Sequence, residues 1–186
     1  MKTFFKLKVL LSFTLISTIF ITGCSGDNDD NITPIGNSDA YYIDSINGND
    51  DNDGSTPETA WKSFIHLNQI TLNPGNSVNL KKGSVWNETF RFRGSGDESN
   101  PIIITSYGKG NKPKFAPKGK SYAFLIRNQE YIEVSDLEIT NLGDTPAENR
   151  KGIYVEATDF GVVHHLYFRN IEIHDVNGVH GGLASF

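Results

Sequence analysis

The sequence predicts an all-β solenoid, a parallel β-helix whose short strands stack in rungs. Two segments carry that prediction: Ile132-Glu133-Val134-Ser135-Asp136-Leu137-Glu138-Ile139 and Leu166-Tyr167-Phe168-Arg169-Asn170-Ile171-Glu172-Ile173. Both read apolar-x-apolar-x-x-apolar-x-apolar, and they are offset by 34 residues. The doubled x breaks the period of two that lets one strand keep its apolar side chains on one face. A corner at Ser135-Asp136 and at Arg169-Asn170 restores it, because Asp and Asn tolerate tight turns. Each segment is therefore two short strands meeting at an angle. A further short run precedes each pair, residues 122–126 and residues 152–156. Three short strands per repeat of roughly 30 residues mark a solenoid coil, which buries its apolar face only by stacking on its neighbours.

The first 23 residues stand outside this pattern. Lys2, Lys6 and Lys8 precede an apolar run over residues 9–21. That run is too short to span a bilayer and suits the core of a signal peptide. It ends in Ile21-Thr22-Gly23-Cys24, which resembles a bacterial lipobox, so residues 1–23 are expected to be cleaved and Cys24 to be lipidated. Cys24 is the sole cysteine, which excludes an intrachain disulfide. Cleavage removes three lysines and no acid, taking the net charge from −5 to −8. An acidic chain argues against nucleic acid as a partner. Residues 24–39 are polar and without period, as expected of a flexible tether. Their early acids (Asp27, Asp29 and Asp30) resemble the surface-export signals of Bacteroidota lipoproteins. The expected location is the outer membrane, exposed at the cell surface, with the lipid as the only membrane contact.

Residues 40–186 form the predicted solenoid domain. Its first part, about 40–75, is expected to be a cap. Ser55 or Thr56 can cap a helix whose first turn holds Pro57 and Glu58, and Ala60, Trp61, Phe64 and Leu67 recur near helical spacing. An amphipathic helix over residues 57–70 would cover the unpaired end of the sheet stack; a helix of a separate α/β domain is the competing reading. Rungs follow from about residue 76. Val78-x-Leu80, Phe90-x-Phe92 and Ile102-x-Ile104 are earlier, less regular strands between Gly, Pro and Asn. At the far end "GGLASF" looks like the first strand of another rung, so the chain reads as truncated at its C-terminus, the N-terminal part of a longer protein.

"YYIDSINGNDDNDGSTPETAWKSF", "PGNSVNLKKGSVW" and "NPIIITSYGKGNKP" resemble the N-terminal part of right-handed parallel β-helix proteins of the pectate-lyase-like superfamily, closest to the lipid-anchored members of Bacteroidota. The resemblance implies a right-handed coil and a polysaccharide partner, and it supplies no catalytic residues. The expected function is the N-terminal part of a surface polysaccharide-degrading enzyme, lyase-like or glycosidase-like, monomeric when full length. The alternative is a non-catalytic carbohydrate-binding or scaffold solenoid.

Candidate chemistry lies in three places. Asn49, Asp51, Asp53 and Gly54 match the first half of a calcium loop, with alternate oxygens for a hard cation and glycine for the sharp turn. Position 12 of that loop is Ala60, where a bidentate Glu belongs. Ca²⁺ is the one cofactor the sequence suggests. The second place follows from the 34-residue offset. It stacks Glu138 on Glu172, and Thr140 on His174, at the ~4.8 Å spacing of neighbouring strands. Two carboxylates so close resist joint ionisation and can hold a cation or supply an acid of raised pKa; Glu138, Glu172 and His174 are the catalytic candidates. Arg91, Arg93, Lys81 and Lys82 could neutralise an acidic sugar.

Overall fold

The computed structural model describes residues 39–179. The expected signal peptide, most of the tether, Cys24 and the final strand-like stretch lie outside the described residues. Twelve strands are described: β1 (Ala40–Ile43), β2 (Ser77–Lys81), β3 (Val85–Trp86), β4 (Phe90–Arg91), β5 (Ile102–Tyr107), β6 (Lys114–Phe115), β7 (Tyr122–Arg127), β8 (Ile132–Ser135), β9 (Glu138–Asn141), β10 (Lys151–Glu156), β11 (Leu166–Arg169) and β12 (Glu172–Val176). They sort into three sheets, β1-β2-β5-β8-β11, β3-β6-β9-β12 and β4-β7-β10, so that each turn of chain lays one strand in each. All the pairings are parallel. The result is an all-β solenoid of about three turns.

The 34-residue offset reads directly as register. Leu166 lies opposite Ile132, Phe168 opposite Val134, and Ile173 opposite Ile139. The doubled-x corners are tight turns: Asp136 and Asn170 both adopt left-handed backbone, at φ 61° and 53°. The side-chain amide of Asn170 donates to the Asp136 carboxylate, tying one corner to the next. Short polar side chains suit this conformation because they can hydrogen-bond locally.

Inward side chains form ladders that continue from rung to rung. Tyr41, Val78, Ile104 and Val134 stack in the first sheet. Trp86, Phe115 and Ile139 stack in the second, and Phe90, Phe124 and Ile153 in the third. All of these are buried. The middle of the core is aromatic: the Phe90 ring lies 4.9 Å from both Phe115 and Phe124, stacked on one and edge-on to the other. Offset and edge-to-face pairs of this kind add ~0.5–1.5 kcal/mol each beyond their buried area.

The expected cap helix over residues 57–70 is not formed, and no helix occurs among the described residues. The reason is competition for backbone groups. Trp61 accepts from the Asp44 N–H and donates its own N–H to the Tyr42 carbonyl. The Asp50 carboxylate takes the N–H groups of Lys62 and Ser63. These groups are unavailable to a helical ladder, and only single turns remain, Asn68 N–H to Phe64 O and Ile70 N–H to His66 O. The segment still covers the open end. Trp61 bridges Ile43 on the outer edge of β1, and Trp61, Phe64 and Leu67 are fully buried. Phe64 reaches Trp86, Phe90 and Phe115. Pairing and plugging thus replace the amphipathic helix.

Candidate functional site

The second sheet carries Glu138 and Glu172 side by side, with Lys114 beside Glu138 on the other flank. Alternation turns these residues outward, because Phe115, Ile139 and Ile173 face the core. Lys114 Nζ lies 2.5 Å from Glu138 Oε1, and Lys112 Nζ 2.6 Å from Glu172 Oε1. Each glutamate therefore has its own lysine. His174 stands opposite Thr140 in the register, but its ring reaches one step back along the neighbouring strand. Its Nε2 lies 2.9 Å from Glu138 Oε1 and its Nδ1 2.9 Å from Asp175 Oδ2.

This pairing changes the expected electrostatics. Partial burial pushes the Glu138 carboxyl up, but hydrogen bonds from Lys114 and His174, with their charges, outweigh it and hold it below the usual carboxylate range. The expected acid of raised pKa is therefore not found at Glu138, because lysines share the face with the glutamates. The opposite happens at His174: hydrogen bonds to Asp175 and then to Glu138 push the imidazole above its usual range. The arrangement sets an ionised carboxylate beside an imidazole whose protonated form is favoured. Chemically, that is a stabiliser of positive charge beside a proton donor.

Asn49, Asp51 and Asp53 lie in the turns between β1 and Trp61. Asn49 Oδ1 accepts the Asp51 N–H. Asp53 Oδ1 accepts from the Ser55 N–H, the Ser55 hydroxyl and the Thr59 hydroxyl at 2.7–2.9 Å. Those bonds, led by the one from the Ser55 N–H, hold the Asp53 carboxyl below its usual range. These oxygens are engaged in hydrogen bonds within the turns. Among the described residues no group of three or more His, Cys, Asp or Glu side chains is placed to hold a metal ion.

One cluster escaped the sequence reading. On the outward face of the first sheet, His165 Nε2 lies 3.0 Å from Glu133 Oε1, and Arg169 approaches the same carboxylate at 3.8 Å. The His165 ring stacks on Tyr131 at 5.7 Å and leans on Tyr167 at 4.4 Å. Tyr131 and His165 are themselves 34 residues apart and share left-handed backbone, at φ 55° and 52°. The 34-residue offset, carried to the corner before β8 and β11, is the sequence signal for this cluster.

No family model matches the chain. Two solved structures match it closely in shape, both GH136 lacto-N-biosidase from Eubacterium ramulus. The native form shares 30% sequence identity and superposes with a TM-score of 0.72 over 77% of this chain. The selenomethionine derivative gives 31% and 0.70 over 75%. A lacto-N-biosidase of Bifidobacterium longum subsp. longum is 28% identical over 191 residues, covering 74% of this chain. The chain spans 12% of the length of that curated relative, and 27% and 29% of the two solved chains. The parallel solenoid is thus shared with proteins described as biosidases.

Proposed function

We propose that the chain belongs to a glycoside-hydrolase-like, glycan-degrading protein built on a parallel β-solenoid. One observation carries this reading: identity of 30–31% together with TM-scores of 0.70–0.72 to two lacto-N-biosidase structures. The same observation favours hydrolysis over β-elimination. The substrates of lacto-N-biosidases are the first to test. Glu138, Glu172 and His174 are this chain's own candidates for proton transfer. Glu138 and Glu172 stand on neighbouring strands ~4.8 Å apart, and retaining glycosidases likewise use two nearby carboxyl groups. Glu138, held ionised, suits charge stabilisation, and His174 suits proton donation.

The full-length gene product should be incubated with a panel of neutral and acidic glycans that includes lacto-N-biosidase substrates. New reducing ends without ultraviolet-absorbing unsaturated products are expected, and Glu138→Gln should lower the rate by ~10²-fold or more. Unsaturated products would replace hydrolysis by elimination. The second reading, a non-catalytic glycan-binding solenoid, is favoured by the full pairing of Glu138, Glu172 and His174 with neighbouring charges. Binding without either product would select it.

We also propose that the protein is an outer-membrane lipoprotein exposed at the cell surface. The support is Cys24 directly after the apolar segment and the acidic tether that follows. A palmitate analogue should label the wild type and not Cys24→Ser, and protease added to intact cells should digest the domain. Equal labelling of both forms would refute the anchor.

A further inference from the structure

A pocket of about 180 Å³ opens on the third sheet, a different sheet from the one that carries Glu138 and His174. Arg91, Arg93 and Arg127 line it, together with Asn68, Phe92 and Leu125. The register explains why three arginines meet in an acidic chain. Phe90 lies opposite Phe124 and Arg91 opposite Leu125. The same 34-residue offset relates Arg93 to Arg127, and both line the pocket. Phe90, Phe92 and Phe124 are buried, while Arg91, Arg93 and Arg127 are exposed on the other face.

The three guanidinium groups are not equally neutralised. Arg127 pairs with Glu156 at 2.6 Å. Arg91 donates from Nε to the neutral Asn68 amide oxygen at 3.2 Å. Arg93 makes no side-chain hydrogen bond or ion pair with any described residue. Neighbouring like charges across strands destabilise a sheet. An incoming anion would relieve that repulsion. One wall next to these charges is apolar: Leu125 occupies an outward position yet is only 6% exposed. A charged fork against an apolar shelf fits a ring that carries an oxyanion. The planar guanidinium matches carboxylate and sulfate in bidentate fashion, which a lysine cannot do.

We propose that this pocket binds an acidic sugar residue, its carboxylate or sulfate held by Arg91 and Arg93 and its ring resting on Leu125. The site goes beyond the hydrolase reading and stands whether or not the chain takes part in bond cleavage.

Titration calorimetry on the whole chain tests it with three probes: an oligogalacturonate (carboxylate only), a sulfated galactan oligosaccharide (sulfate only) and a neutral galactan. At least one acidic probe should bind, more weakly as salt rises. Arg93→Gln should weaken that binding about tenfold or more, with Arg93→Lys intermediate. Lys109→Gln, exposed in the turn after β5 and outside the pocket, should leave it unchanged. The arm that binds names the oxyanion. Circular dichroism and melting temperature verify that each variant is folded, and Arg93, exposed and without a structural bond, is the safe position to change. Binding of neither acid overturns the proposal. So does unchanged affinity in Arg93→Gln, an equal loss in Lys109→Gln, or equal affinity for the neutral galactan.

Discussion

At the residue scale, the informative positions are those where the coil turns. Gly94 sits at φ 103°, and a β-carbon there would strike the Leu72 carbonyl oxygen. That contact exists because the Leu72 N–H donates to the Arg93 carbonyl at 2.9 Å, drawing the two backbones together. Gly94→Ala is expected to cost at least ~2 kcal/mol, from backbone strain and the clash together; urea denaturation measures it, and a change under ~0.5 kcal/mol would contradict the geometry. The Glu138–His174 pair makes a different prediction. Glu138 is depressed, so its stabilisation is present above its ordinary value of 4.5 and lost as pH falls through the lower folded pKa. His174 is raised, so its stabilisation is present below its ordinary value of 6.5 and lost as pH rises through the higher folded pKa. The pair contributes fully between those two ordinary values. By NMR, His174 should titrate above the usual imidazole midpoint, and Glu138→Gln should move it down.

The elements differ in how their free edges are closed. β1 is the outermost strand of its sheet, and an unpaired edge invites other chains. Here Gly54 accepts the Tyr42 N–H, and Trp61 exchanges hydrogen bonds with Tyr42 and Asp44. The Trp61 indole stacks on Tyr41 at 5.3 Å and donates from Nε1 to the Asn52 carbonyl at 2.8 Å. Gly54 is required because a β-carbon there would lie 2.5 Å from the Trp61 indole. Trp61→Ala should cost ~3–5 kcal/mol. It should also speed amide exchange at Tyr42 and Asp44 far more than at β5 and β8. Exchange unchanged at Tyr42 would mean that the turns hold the edge without the indole.

At the largest scale, burial among the described residues falls along the stack. In β8 the inward Ile132 and Val134 are fully covered, whereas Leu166 and Phe168, one rung on, are only partly buried. Ile173 is likewise less covered than Ile139, its partner in the register. Stability in a solenoid is nearly a sum over rungs and their interfaces, so it should fall in the same direction. Phe124→Ala is expected to cost ~3–5 kcal/mol and Phe168→Ala clearly less, since the cost scales with how enclosed the site is. Hydrogen exchange should show β11 and β12 opening before β5 and β8. Uniform protection from β2 to β12 would mean that the rungs unfold as one unit.

The sequence by itself determined the repeat. The broken alternation, its 34-residue offset and the Asp and Asn at the corners are properties of side-chain size and local turn chemistry. They dictated strand, corner and register before any contact was considered. The cap was only half legible. Trp61, Phe64 and Leu67 announce burial by their spacing, but a helix and a pinned series of turns bury them equally well. Which one forms depends on where Tyr42, Asp44 and Asp50 lie in space. The candidate chemistry was legible to the same depth. The offset places Glu138 beside Glu172, yet whether that pair repels depends on Lys112, Lys114 and His174, which reach it from 24 to 60 residues away in sequence. The arginine pocket needed the same information. Charge and hydrogen bonding act over a few ångströms, and in a solenoid the neighbours at that range come from other turns of the coil.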